Sequence, residues 1–310
     1  MRLLLRRLAW LAGTLLAASF LVFGAIYLAP GRPETLLLGG RAASPEALAA
    51  IRARYHLDDP FLLQYAKWLG RVLTGDLGQS TQYRSPVLGL IEARLPTTLL
   101  LIAMAAALVV VLGVALGCVS AVRGGGVDST VLVVTTVALG TPSFVAAIVL
   151  LWLFSVRLGW FPTIGSGRGL GDMLYHLTLP AVALSLYWTG VLARVTRSSM
   201  LDELGRDHVE VARARGVRER TVIRRHVLRN ALGPIVTMSG LTVSGLVIST
   251  VLVESAFGLG GLGEFLARSV AVKDFPVVQA VSLLVVGLFV LVNLIVDLLY
   301  PLIDPRVRPS

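Results

Sequence analysis

Lysine is nearly missing from this chain of 310 residues: Lys67 precedes Trp68, Lys273 precedes Asp274, and there are no others. Neither belongs to a Gly-x-x-x-x-Gly-Lys-Ser/Thr phosphate loop, so the chain is not itself the ATPase of any machine it serves. Cysteine is scarcer still. Cys118 stands alone inside an apolar run, which excludes an intrachain disulfide and a cysteine-based metal site and leaves a small packing residue. The four histidines, His56, His176, His208 and His226, lie outside or at the edges of the apolar runs. No second-ligand pattern accompanies His208 or His226, which read as solvated loop residues, and no Gly-x-Ser-x-Gly elbow occurs, so neither a metal centre nor an intramembrane hydrolase is expected. Charge is low as well: 15% of residues are charged against 55% hydrophobic, with a mean hydropathy of +0.80, outside the range of ordinary soluble chains.

What is abundant is apolar sequence in long runs. Six stretches, near 8–28, 97–119, 130–156, 177–193, 235–255 and 277–299, are each long enough to cross a hydrocarbon core of about 30 Å as a helix. The first follows Arg2, Arg6 and Arg7 and is too long for a signal-peptide core, so it reads as an uncleaved signal-anchor helix. Pro96, Pro180, Pro234 and Pro276 are expected at or near span starts, where a missing backbone donor costs least. Pro142, in Gly140-Thr141-Pro142-Ser143, falls mid-span and predicts a kink, read as packing in preference to a bend lining a path.

The formal charge of +10 would suggest nucleic acid in a soluble chain, but the arginines gather beside apolar runs, so no nucleic-acid partner is expected. With the N-terminus inside, the inner stretches hold sixteen arginines: Arg2, Arg6, Arg7, Arg123, ten between Arg194 and Arg229, Arg306 and Arg308. The two short outer loops hold Arg157, Arg168, Arg268 and Lys273. This asymmetry predicts cytoplasmic termini, and the long outer segment 30–95 is exempt from the rule. Within that segment, Ser44-Pro45-Glu46 starts a helix through Tyr55, a second runs over 61–73, and Gly75-Asp76-Leu77-Gly78 marks a turn. Tyr55, Tyr65 and Trp68 suggest a surface for a partner, with interfacial anchoring as the rival reading.

Between the fourth and fifth spans lie about forty polar residues, 194–233, whose ten arginines and five acids leave a net +5. Residues 202–215 and 219–232 permit helix, and Gly216 permits a sharp turn, so the loop predicts a helix-turn-helix in the cytoplasm. At about 1 kcal/mol per basic residue, anionic lipid alone would hold such a hairpin. Lipid does not require Glu210-Val211-Ala212-Arg213-Ala214-Arg215-Gly216, which sets an acid, small residues and a turn glycine at fixed spacing.

The run from Asp207 to Val217, followed by Arg225-His226-Val227-Leu228-Arg229-Asn230-Ala231, resembles the EAA loop of ABC importer permeases. Glu210, Ala212 and Gly216 match its acid, second alanine and glycine, while Val211 departs at the first alanine. Further stretches resemble the oligopeptide, dipeptide and nickel branch: Leu57-Asp58-Asp59-Pro60, Gly75-Asp76-Leu77-Gly78-Gln79-Ser80, Arg94-Leu95-Pro96-Thr97-Thr98, Asp274-Phe275-Pro276-Val277-Val278-Gln279, and Asn293-Leu294 through Asp297-Leu298-Leu299-Tyr300 to Asp304-Pro305-Arg306. Arg32, in Pro30-Gly31-Arg32-Pro33, stands where that branch usually carries an acid.

The resemblance implies an all-α polytopic membrane protein with six transmembrane helices and a type I ABC importer transmembrane domain, in a bacterial inner membrane. It divides the chain into an N-terminal helix (1–29), an extracytoplasmic helical segment (30–93), a transmembrane domain (94–304) that contains the coupling loop 194–233, and a tail (305–310). It implies peptide import with a second permease, two ATPases using ATP and magnesium, an external solute-binding protein and surrounding lipid; nickel or another small solute is the alternative cargo. Glu210, Ala212, Ala214, Arg215, Gly216 and Val217 would couple to the ATPases. A gradient-driven transporter is the rival class, and it would need intramembrane ionisable groups. Only Glu254 and Asp297 qualify, with Asn293 one turn before Asp297; near opposite interfaces they make a poor relay, so structural roles are preferred, and with Pro142 they complete the candidate polar and gate positions.

Overall fold

The computed structural model describes residues 2–28, 34 and 44–303, with side chains described for all of these except 2–9, 47, 51, 54, 55 and 296–303. The side chains of Arg2, Arg6, Arg7, Tyr55 and Asp297, the stretch around Arg32, and the tail from Asp304 onward therefore lie outside the described residues. The described chain is helical: α1 (Arg2–Leu28), α2 (Pro45–Tyr55), α3 (Phe61–Leu73), α4 (Val87–Glu92), α5 (Leu95–Arg123), α6 (Gly125–Gly140), α7 (Ser143–Arg157), α8 (Leu170–Leu204), α9 (Asp207–Ala214), α10 (Glu219–Phe257), α11 (Leu262–Ala271) and α12 (Phe275–Ile303). Five are long and apolar enough to cross a membrane, or six spans if α6 and α7 count as one. Beyond the helices, one isolated antiparallel bridge joins Gln79 and Pro86 among the described residues.

Two compact units emerge, Met1–Thr98 with Gly260–Val290, and Leu99–Leu259 with Leu291–Ser310. In the first, α3 lies along α1 through an aromatic cluster in which Phe23 meets Phe61, Tyr65 and Trp68 at centroid distances of 5.4, 5.7 and 5.4 Å. Tyr65 also bonds Ser19 through its hydroxyl at 2.7 Å. These rings thus pack on α1 while Tyr65 and Trp68 stay half-buried. Gln64 shows why the packing is specific: it is buried, accepts from the Tyr27 hydroxyl, and donates to the carbonyls of Leu57 and Asp59. A second core joins α4, α11 and the start of α12 through Val87, Ile91, Leu262, Phe265, Val277 and Val281.

In the second unit α8 is the central helix, packed by α6, α7 and α10. Small residues let backbones approach where apolar burial gives no net drive inside lipid. Gly113 and Gly117 of α5 sit against Leu192, Ala193 and Thr196 of α8, and Gly245 of α10 leaves room for the ring of Trp188. The expected kink at Pro142 is a full break, since α6 and α7 meet at 101°. Proline forces the preceding residue out of the helical region, and Thr141 is extended (φ −99°, ψ 112°), so α6 stops and α7 starts afresh at Ser143.

Pro180 and Pro234 depart from the sequence expectation. Both lie well inside helices, α8 and α10, whose first turns begin ten or more residues earlier. Pro96 and Pro276 do occupy second helical positions, as expected. Two stretches, Leu151–Arg157 and Val222–Leu228, run as wider π-turns inside α7 and α10.

Candidate coupling site

The polar loop after the fourth span is built mainly from the ends of two long helices. Helix α8 continues to Leu204, Gly205 and Arg206 form the break, and α9 occupies only eight residues before Gly216 turns the chain into α10. The single helix expected over 202–215 is therefore two pieces. The break after Leu204 carries Gly205, which the sequence reading passed over.

The turn at Gly216 is a Schellman closure. The amide of Gly216 bonds the carbonyl of Arg213 at 2.9 Å, and that of Val217 bonds the carbonyl of Ala212 at 3.2 Å. Gly216 has φ +74°, the left-handed conformation in which a Cβ collides with the following carbonyl, so glycine fits this site without strain. Arg213 clasps Glu219 across the turn, Nε to Oε2 at 3.1 Å and Nη2 to Oε1 at 2.6 Å. That hydrogen-bonded carboxylate raises the Arg213 guanidinium above its usual range, and the guanidinium holds Glu219 below the usual carboxylate range.

Helix α9 has two faces. Val209 and Ala212, three residues apart, are buried where α9 packs on Val222–Leu228, whose own buried residues are Val222 and Val227. Asp207, Glu210, Val211 and Ala214 are exposed, with Val211 at 49%. The expected coupling residues thus separate: Glu210, Ala214, Arg215 and Gly216 reach the surface, Val217 is half-buried, and Ala212 faces inward. Val211, noted in the sequence only as a departure, is the exposed apolar residue of the outer face.

His208 joins all three helices. Its Nε2 lies 3.6 Å from Glu203 at the end of α8, and 3.3 Å from both the His226 carbonyl and the Asn230 amide nitrogen in α10. Asn230 donates to the same His226 carbonyl at 2.7 Å. Together Glu203, Arg206, His208 and Asn230 line a cavity of about 310 Å³. His208 is exposed, as expected of a solvated residue, and its ring also makes polar contacts with α8 and α10.

The other candidate positions are scattered. Pro142 sits at the α6–α7 break. Glu254 is fully buried one turn before the end of α10, where its carbonyl accepts the amide of Leu259 at 3.1 Å and caps the helix. The loop before α8 is fastened to that same end, because the Gly165 amide bonds the Phe257 carbonyl at 3.2 Å. Asn293 is half-buried in α12. No group of three or more His, Cys, Asp or Glu able to hold a metal occurs among the described residues.

Comparison with known proteins places this architecture. The family model described as binding-protein-dependent transport system inner membrane component matches residues 110–309, and the model of its N-terminal region matches 1–102. A protein named as a peptide permease in Brucella suis biovar 1 is 39% identical over 316 residues, covering 99% of each chain. A glutathione transport system permease protein of Pectobacterium atrosepticum is 40% identical over 305 residues, covering 98% of each. Among solved structures, the MetNI methionine ABC transporter in inward-facing form aligns with a TM-score of 0.56 at 20% identity, covering 70% of this chain and 97% of that one. That likeness shows the fold. On the family models and the near full-length relatives together, the chain is an integral membrane transport permease component and belongs to the binding-protein-dependent transport system inner membrane component family.

Proposed function

We propose that this chain is one of two related permease subunits in an ATP-driven importer of peptides in a bacterial inner membrane, with both termini cytoplasmic. The observation that carries this reading is the outer face of α9: Glu210, Val211 and Ala214 are exposed at the tip of a hairpin whose arms continue into α8 and α10. An exposed apolar residue flanked by an acid and an alanine suits a groove on a separate protein better than water. The partners are a second permease, two cytoplasmic ATPases that use ATP and magnesium, and an external solute-binding protein.

ATP binding would draw the ATPases together, move α9, and shift the spans between two packings; hydrolysis would reset them. For that to do work, the ATPases must bind the two packings with different affinity, since uniform attachment shifts no population. The cargo class follows the relatives, which are named for peptides and for glutathione, itself a tripeptide. Selection among such cargoes would rest largely with the external binding protein.

The test is Glu210→Lys in the complex purified from membranes. Reversed charge at the contact should reduce ATPase co-purification by about tenfold at low salt while the permease remains abundant. Undiminished ATPase yield would remove the docking role of α9.

A further inference from the structure

Among the described residues, three other than glycine take the left-handed backbone: His56, Arg84 and Lys273, at φ 53°, 53° and 58°. That region is uncommon for such side chains and persists only where the surroundings impose it. Arg84 and Lys273, far apart in sequence, lie in two turns that meet at one residue, Asp274. Asp274, the residue after Lys273, is fully buried. Its oxygens accept the Ser80 hydroxyl, the Thr81 amide at 3.1 Å and the Gln82 amide at 3.2 Å. Ser80 completes the fastening, since its Oγ accepts the Tyr83 amide at 2.9 Å and its carbonyl accepts the Arg84 amide at 3.0 Å. On the other side, the amides of Lys273 and Asp274 close the end of α11 on Val270 and Ser269, at 3.2 and 2.9 Å.

Two tight turns are therefore locked to a single buried acid, and each presents a cation outward at a position where glycine would be easier. Next to Arg84 in the chain is Tyr83, 41% exposed, its ring edge-on to Phe265 at 5.8 Å. The Arg94 guanidinium lies over the Phe265 ring at 4.2 Å and over the Tyr83 ring at 5.7 Å. Val272 adds apolar surface at 40% exposure.

We infer that Tyr83, Arg84 and Lys273 form a preorganised docking knuckle for an acidic protein surface, that of the external solute-binding protein. The inference rests on the importer reading and adds where on this chain that partner seats. Tyrosine and arginine on fixed backbone are the chemistry of protein contact centres, and a locked turn loses little freedom on binding. Anionic headgroups are served as well by basic side chains on loose backbone, so they do not account for the fastening.

The experiment uses the complete transporter in nanodiscs and the solute-binding protein that stimulates its ATP hydrolysis. Arg84→Glu with Lys273→Glu should raise the apparent Kd for that protein by about tenfold at low salt, and the difference should shrink at about 0.5 M salt. ATP hydrolysis without the binding protein should not change. Arg84→Gly, which eases the backbone and removes the cation, should weaken binding by about threefold with thermal unfolding unaltered. An unchanged Kd in the double reversal overturns the knuckle, as does a loss indifferent to salt. A loss seen in phosphatidylglycerol nanodiscs and absent in phosphatidylcholine ones overturns it in favour of headgroups. If no solute-binding protein stimulates the wild-type complex, the importer reading itself falls; stimulation with knuckle variants binding normally removes this inference alone.

Discussion

Arg197 holds both carboxylate oxygens of Asp128, Nε to Oδ1 and Nη2 to Oδ2, each at 2.6 Å. The pair ties α8 to the first turn of α6, and Ser120 of α5 donates to the same carboxylate. One turn earlier, Arg194 reaches the Thr136 hydroxyl at 2.6 Å. The base of α5, α6 and α8 is thus fastened by charge-assisted bonds of planar geometry, the kind that arginine makes and lysine does not.

Arg197→Ala should lower the unfolding temperature, because it leaves the Asp128 carboxylate without its cation and unties α8 from α6. Thermal unfolding of the purified protein measures this. Asp128→Arg with Arg197→Asp should recover part of the loss; a double variant no better than the single would mean that the pair is not what holds these helices.

His208→Ala should separate hydrolysis from transport. With its link to Glu203 and Asn230 gone, α9 can remain on the ATPase while α8 and α10 respond less, so uptake should fall by about tenfold with ATPase co-purification within twofold. His208→Gln, whose amide nitrogen can occupy a similar place, should restore at least half. Equal uptake in His208→Ala would make the cavity at this junction a passive one.

Gly216→Ala places a Cβ on a left-handed residue and should cost about 1 kcal/mol with transport largely retained. Gly216→Pro cannot reach φ +74° and should abolish uptake. Normal uptake by the proline variant at normal membrane abundance would show that the Schellman turn is dispensable.

Gly117→Ala tests the seam between α5 and α8. Its Cβ would lie 2.5 Å from Thr196 Cβ and 2.6 Å from the Ala193 carbonyl, so the helices must part, at about 1–3 kcal/mol. Gly287→Ala in α12 meets nothing within 4 Å and should be neutral or slightly stabilising. Equal unfolding temperatures for the two variants would refute close packing at Gly117.

Hydropathy located five of the expected spans as long apolar helices, and the sixth only as the pair α6 and α7 broken at Pro142. The bounds of α3 were equally readable, since Pro60 and Gly75 punctuate a strongly amphipathic run. The start of α10 at Glu219 was readable too, but its continuity was not: the helix read over 219–232 runs on into the fifth span, so Pro234 lies inside it and not at a span start. The split of α9 had a usable signal, since Val209 and Ala212 at a spacing of three mark an inward stripe. Packing of Tyr65 and Trp68 on α1 was not readable, because an aromatic residue announces a contact without saying with what. Asp274 with Ser80, and Arg197 with Asp128, join residues too distant in sequence for any local pattern to reveal.

Helix α8 has 35 residues, which at 1.5 Å each gives about 52 Å, some 20 Å more than a bilayer interior needs. The surplus makes it a cantilever. Residues 194–204, past the apolar run, give an inner arm of about 16 Å, and a tilt of about 10° at the membrane surface would carry its end through about 3 Å. Small angular changes in the spans and sizeable strokes at α9 are thereby geared to each other, and shortening the arm by two turns would cut the stroke in proportion.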